Sequence, residues 1–118
     1  EAFLGRTPSL LGFDPSLCIW SYRAGKAKPD PSVFDVPLTV IENNYGIHPE
    51  DCLYLGNDML NDIWSAHQNG MHTILFAGDR RSLRTRQDDE RCRGLIPDSM
   101  IFNLPALLES VHFSSFQL

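Results

Sequence analysis

Apolar residues in this chain fall in short blocks separated by polar stretches rich in proline and glycine. Blocks at residues 17–21, 53–55, 73–77 and 100–102 have strand length and read as buried strands. Between the first two, Val33, Phe34, Pro37, Val40 and Ile41 give an approximate helical stripe ending near Gly46. Asp30 caps its start, Pro31 suits its first turn, and Pro37 predicts a kink or a restart. Residues 48–51 form a turn into the strand at 53–55. Met59, Leu60, Ile63, Trp64 and Ala66 define the core face of a following helix, which Asn69-Gly70 terminates. Residues 1–12 suggest a helical remnant and a loop, 78–94 a polar loop, and 104–111 a closing amphipathic helix. Strands joined by helices at these spacings predict crossover connections and a parallel sheet, hence an α/β fold.

A length of 118 residues allows one domain, here taken as 1–118. A hydrophobic fraction of 42% supplies enough apolar material for a core. The net charge of -5 argues against a general nucleic-acid binder. Cys18, Cys52 and Cys92 have no metal-like spacing, and two of them adjoin apolar runs, which predicts reduced, buried thiols in a cytoplasmic protein. No apolar run is long enough to span a bilayer. Six arginines, Arg80, Arg81, Arg84, Arg86, Arg91 and Arg93, are interleaved with Asp79, Asp88, Asp89 and Glu90. That mixture reads as a solvated charged surface rather than a phosphate or nucleic-acid patch. His48, His67, His72 and His112 form no metal-ligand pattern.

The most informative stretch is Cys52-Leu-Tyr-Leu-Gly-Asn-Asp-Met-Leu-Asn-Asp-Ile63. Gly56 ends the strand, Asp58 is a good helix N-cap, and Asp62 falls one turn later on the same face. Two carboxylates at the carboxyl end of a parallel strand are a place for a hard cation. A helix cap plus a solvated aspartate is the plainer alternative. Upstream, Gly25, Lys28 and Pro29-Asp30-Pro31 form a second polar segment after the block at 17–21.

Together, Gly25-Lys-Ala-Lys-Pro-Asp-Pro31 and Gly56-Asn-Asp-Met-Leu-Asn-Asp62 resemble the second half of a haloacid-dehalogenase-like (HAD-like) hydrolase. The resemblance runs over nearly the whole chain. It implies a Rossmann-like parallel sheet with flanking helices. It also implies Mg²⁺-dependent phosphatase chemistry on a small phosphorylated metabolite through an aspartyl phosphate. Lys28 matches the family's catalytic lysine, which pairs with nucleophile and phosphoryl group as a point charge. Asp58 and Asp62 match the magnesium acids. An alternative alignment puts Asn57 in the first acid slot and Asp58 behind it. With Asp58 in that slot, Asn57, Asn61 and Ser21 are the supporting residues of the site.

The family's nucleophile segment, D-x-D-x-T/V, does not occur in the chain. The expectation is therefore a C-terminal part of a longer enzyme, inactive by itself. In the family the sheet order is third, second, first, fourth, fifth strand. The blocks at 17–21, 53–55 and 73–77 match the third, fourth and fifth. Without the first and second, the apolar edge at 53–55 calls for cover, either by the block at 17–21 or by another chain in a homo-oligomer. The rival from another class is a non-catalytic interaction or regulatory module built from a degenerate HAD-like domain.

Overall fold

The computed structural model describes Gly12 and residues 25–110. Among the described residues, the first element is a 3-10 turn, Pro31–Phe34, which Asp30 caps by accepting the Ser32 N–H at 2.9 Å. Helix α1, Asp35–Tyr45, follows directly. The helical stripe thus restarts at Asp35, and Pro37 falls in the first turn, where a missing N–H removes no helical bond. Gly46 closes α1 in the left-handed region, at φ 65°.

Strand β1, Leu53–Gly56, leads into α2. Helix α2 is π-helical over Met59–Trp64 and α-helical over Ser65–Gln68. Its first turn is wide: the Asp58 carbonyl accepts both Asp62 N at 2.9 Å and Ile63 N at 3.1 Å. The apolar periodicity predicts an ordinary α-helix here, since the widening leaves no mark on the spacing of core residues. Asn69 and Gly70 end α2, with Gly70 at φ 77°. Strands β2, His72–Phe76, and β3, Ser99–Ile101, follow, and then α3, Ala106–Ser110. Asn103 Oδ1 accepts the Ala106 N–H at 2.9 Å at the start of α3. β2 and β3 each begin one residue earlier than the apolar runs suggest. Thr73 is why β2 tolerates a polar residue: it is buried, and its N–H reaches Asp98 Oδ2 at 2.8 Å.

The three strands pair in parallel in the order β1-β2-β3, with Leu55 beside Ile74 and Leu75 beside Met100. The α/β class and the parallel sheet are as the element pattern predicts. Among the described residues, nothing pairs along the outer edge of β1. The block at 17–21, with Cys18, Trp20 and Ser21, lies outside the described residues, as do 1–11 and residue 111 of the expected closing helix.

Two apolar clusters share α2. Met59, Leu60 and Ile63 pack with Leu75 and Cys92, flanked by Trp64, Leu83 and Leu95. Ala66 packs with Phe34 and Met71, flanked by Val33, Leu38, Cys52 and Tyr54. Burying side chains of this size contributes about 1.5–3 kcal/mol each. One short helix thereby fixes both neighbouring segments against the end of β1. Cys92 is buried, Cys52 half-buried, and both are free thiols.

Candidate active site

The segment carrying Lys28 has little regular structure of its own, so α2 holds it through side chains. Ser65, fully buried, donates its Oγ to the Pro29 carbonyl at 2.9 Å. Asn69 donates its Nδ2 to the Pro31 carbonyl at 2.9 Å. The Pro29 carbonyl belongs to the polar loop, where no helix or sheet ladder satisfies it, and Pro31 opens the 3-10 turn. Anchored in this way, Lys28 reaches Asp62: its Nζ donates to Asp62 Oδ1. The same ammonium lies 3.4 Å from Tyr54 Oη and 5.8 Å from the centre of the Tyr54 ring. Phe34 meets that ring edge-on, with centroids 5.0 Å apart. Partial burial works to lower the Lys28 pKa, but the Asp62 hydrogen bond and the neighbouring Tyr54 outweigh it. The net shift is upward, which keeps the lysine a fixed cation.

Asp62 is buried beneath the β1–α2 junction. Its Oδ2 accepts the backbone N–H groups of Asn57, at 3.0 Å, and Asp58, at 3.1 Å. The carboxylate therefore folds back against the end of β1, with only Oδ1 turned to Lys28. Gly56 makes this possible. A Cβ there would meet Asp62 Cβ and Cγ, and would lie 2.5 Å from Oδ2. The glycine serves a close approach of side chain to backbone, not a left-handed turn.

Asp58 is also buried, but it is spent differently. Its Oδ1 caps α2 by accepting Leu60 N at 2.9 Å and Asn61 N at 3.0 Å. Asn61 Nδ2 donates to Oδ2 at 3.2 Å. Arg86 then grips the same carboxylate, with Nη2 at 2.6 Å from Oδ2 and Nε at 3.1 and 3.2 Å from the two oxygens. Burial alone would raise the Asp58 pKa. The Arg86 bonds and the Asn61 and Leu60 N–H groups prevail and hold it below the ordinary carboxylate range. The backbone around Arg86 is stitched to the same junction. Met59 N donates to the Arg84 carbonyl at 2.8 Å, and Arg84 N to the Asn57 carbonyl at 2.9 Å. Asn57 Nδ2 donates to the Ser82 carbonyl at 3.1 Å. Arg86 sits at φ 52°, a conformation that is uncommon outside glycine.

The structure brings Lys28, Asp62, Asp58, Asn57 and Asn61 to one junction. Ser21 lies outside the described residues. Four contributors are not singled out by sequence reasoning: Tyr54, Ser65, Asn69 and Arg86. Three of them read as ordinary strand or helix residues. Arg86 is hidden among five other arginines. Of those five, Arg91 pairs with Asp89 at 2.8 Å and stacks 5.4 Å from the Trp64 ring, while Arg84 Nη1 donates to the Arg81 and Leu83 carbonyls.

The donor set at the junction is oxygen-rich and suits a hard cation in kind. In number it is short. Among the described residues, no group of three or more His, Cys, Asp and Glu side chains comes together to hold a metal. Asp58 already serves two backbone N–H groups, one amide and a guanidinium. Asp62 Oδ1, beside Lys28, is the carboxylate oxygen with a lone pair to spare. Mg²⁺ commonly takes one or two carboxylates, keeps several waters and draws on substrate phosphate. Asp62, with Asn57 next to the end of β1, fits such a partial site, and Asp58 as clamped does not.

A family model described as HAD-hydrolase-like matches residues 26–100, which contain Lys28, the Gly56–Asp62 motif, β1, β2 and the first two residues of β3. No curated protein gives a significant match. Among solved structures, the chain is similar to a 2-haloacid dehalogenase from Pseudomonas syringae pv. Tomato DC3000, with 24% identity and a TM-score of 0.55 over 80% of this chain and 35% of that one. It is similar to a p-nitrophenyl phosphatase from Archaeoglobus fulgidus, with 19% identity and a TM-score of 0.53 over 77% of this chain and 36% of that one. A haloacid dehalogenase-like protein of unknown function from Agrobacterium tumefaciens str. C58 gives 21% identity and a TM-score of 0.55, covering 93% of this chain and 50% of that one. At these identities the likeness is one of fold. The chain spans between about a third and a half of the length of these solved proteins.

Proposed function

Because the chain belongs to the HAD-hydrolase-like family, we propose that it supplies the lysine and the metal-binding half of a Mg²⁺-dependent phosphatase active site. The substrate would be a small phosphorylated metabolite, and the setting cytoplasmic. One observation carries the reading: Lys28 and Asp62, far apart in sequence, converge as a cation and a buried carboxylate at the carboxyl end of β1. Ligands of open α/β sheets bind at that end.

In this reading Lys28 holds its positive charge toward the transferring phosphoryl group and its attacking aspartate, lowering the repulsion between two anions. Tyr54 limits where the ammonium can point. Asp62 orients that ammonium and offers Oδ1 to the cation, and Asn57 lies beside it. When bound, magnesium supplies charge neutralisation at the phosphate. The attacking aspartate has no counterpart in the chain's sequence, since D-x-D-x-T/V is absent, and it enters from elsewhere in the protein.

A metal-independent dehalogenase is the second reading, favoured by one feature, the commitment of Asp58 to Arg86 in place of a metal. The full natural protein, assayed for phosphate release from small phosphomonoesters and halide release from 2-haloacids, separates the two. Mg²⁺-stimulated phosphate release, abolished by Lys28→Met, is the expected result. Halide release that is insensitive to chelator selects the dehalogenase. Absence of both activities in a protein that has a D-x-D segment leaves the non-catalytic interaction module.

A further inference from the structure

The Asp58 carboxylate accepts from two backbone N–H groups, the Asn61 amide and two guanidinium nitrogens. Few lone pairs remain for a metal. Its partner Arg86 is not a stray surface arginine. The segment that carries it is tied to the junction by the Met59–Arg84 and Arg84–Asn57 backbone bonds and by Asn57 Nδ2 on Ser82. Arg86 also holds a left-handed backbone conformation, and such conformations persist where surrounding structure enforces them.

We propose that Arg86 is a positioning residue. Its guanidinium stands in the cation's place on Asp58, keeps that acid in the helix cap, and leaves Asp62 as the acid that takes the metal. The fork geometry of arginine suits this task, since both nitrogens engage one carboxylate and a lysine could not. The cap in turn fixes the first turn of α2, from which Asp62 returns to the Asn57 and Asp58 amides. This inference rests on the proposed magnesium reading only where it names Asp62 as the binding acid.

The probe is Mn²⁺ titrated into the isotope-labelled chain, followed by paramagnetic broadening of amide resonances. In the parent chain, broadening centres on Asn57 and Asp62 and disappears in Asp62→Asn. It persists in Asp58→Asn, which retains a capping oxygen. In Arg86→Gln the released Asp58 adds an uncompensated charge next to the ion, so Mn²⁺ binding tightens about fivefold. Broadening then extends to Leu60 and Asn61. The tightening vanishes in the Asp58→Asn, Arg86→Gln double variant. Arg86→Lys, with one point charge instead of a fork, falls between parent and Arg86→Gln.

The idea is overturned if Arg86→Gln leaves affinity and pattern unchanged, or if Asp58→Asn weakens binding as much as Asp62→Asn does. Should the parent bind no Mn²⁺ while Arg86→Gln does, the magnesium reading of Asp62 fails and the clamp stands. If neither binds, both fall. Thermal melts of each variant identify any that do not fold. In that event the Arg86→Lys comparison decides the matter, with parent-like affinity and pattern counting against the clamp.

Discussion

Two segments meet the end of β1, and each brings one cation to one acid, but they are held there by different kinds of bond. Residues 26–34 deliver Lys28 to Asp62 and are moored by the Ser65 and Asn69 side chains. Residues 78–94 deliver Arg86 to Asp58 and are moored mainly through backbone, by Met59–Arg84 and Arg84–Asn57. A side-chain mooring can be cut by one substitution. A backbone mooring survives every substitution but proline at the donor. The Lys28 side is therefore adjustable by sequence change and the Arg86 side is frame. That division suits a site in which Lys28 acts on substrate and Arg86 acts on the protein.

The sharpest way to break the Lys28 side is Gly56→Ala. The new Cβ collides with Asp62 Cβ and Cγ, and backbone and carboxylate cannot both stay. Overpacking of this kind costs about 1–3 kcal/mol. The expected outcome is a lower unfolding midpoint in urea and loss of hydrogen-exchange protection at the Asn57 and Asp58 amides, which Asp62 accepts. The Met59 and Arg84 amides should keep their protection, because their partners are carbonyls of the frame. Uniform loss across all four amides would mean that the two sides are one unit and that the comparison is wrong.

Ser65→Ala comes next. It removes the donor to the half-buried Pro29 carbonyl, a loss of about 1 kcal/mol. The Lys28 segment should loosen while Arg86 holds. Chemical shifts at residues 27–31 and at 84–86 measure the two sides separately.

The difference in mooring also explains what could be read in advance. Lys28 announces itself because Gly25 and Pro29-Asp30-Pro31 frame it. The Asp58 and Asp62 pair is visible because a short apolar run and a glycine precede it. The parallel sheet follows from strand and helix lengths. Arg86 is invisible because its role depends on backbone bonds between residues far apart in sequence, and six arginines in one stretch look alike. Ser65 and Asn69 are invisible because a buried hydroxyl and a helix-ending amide have ordinary roles as well. The split between the two acids, one a cap in a guanidinium clamp and one turned toward a lysine, is a matter of which donor arrives at which oxygen. Residue spacing carries no such information.

Acid and alkali sharpen the comparison further. The Asp58 carboxyl titrates below its unfolded value of about 3.9. Its contribution is present above that pH and is lost as pH falls through the lower folded value. Lys28 titrates above its ordinary value, so its contribution is complete below about 10.4 and is lost as pH rises through the folded value. The melting-point gap between parent and Asp58→Asn should therefore close in acid, and that between parent and Lys28→Met in alkali. Asp58→Ala should fall about 1 kcal/mol below Asp58→Asn at neutral pH, since only alanine loses the cap.

The smallest effect belongs to Asp89→Asn, at the outer end of the same arginine-rich segment. Asp89 pairs with Arg91 at 2.8 Å and caps the turn Glu90–Cys92 through the Arg91 N–H at 2.9 Å. These bonds, the side-chain bond to Arg91 first, lower its pKa to about 2. Its partner stands half in water, and exposed pairs contribute little in salt solution. Asparagine keeps the cap oxygen and loses only the charge. The melting point should move least of all the variants here, and the shift should shrink as salt is added. Asp58→Asn, by contrast, removes a charge that is buried against its arginine, and its shift should persist in salt. Equal salt sensitivity in the two variants would place the Asp58–Arg86 pair at the surface and remove it from the frame.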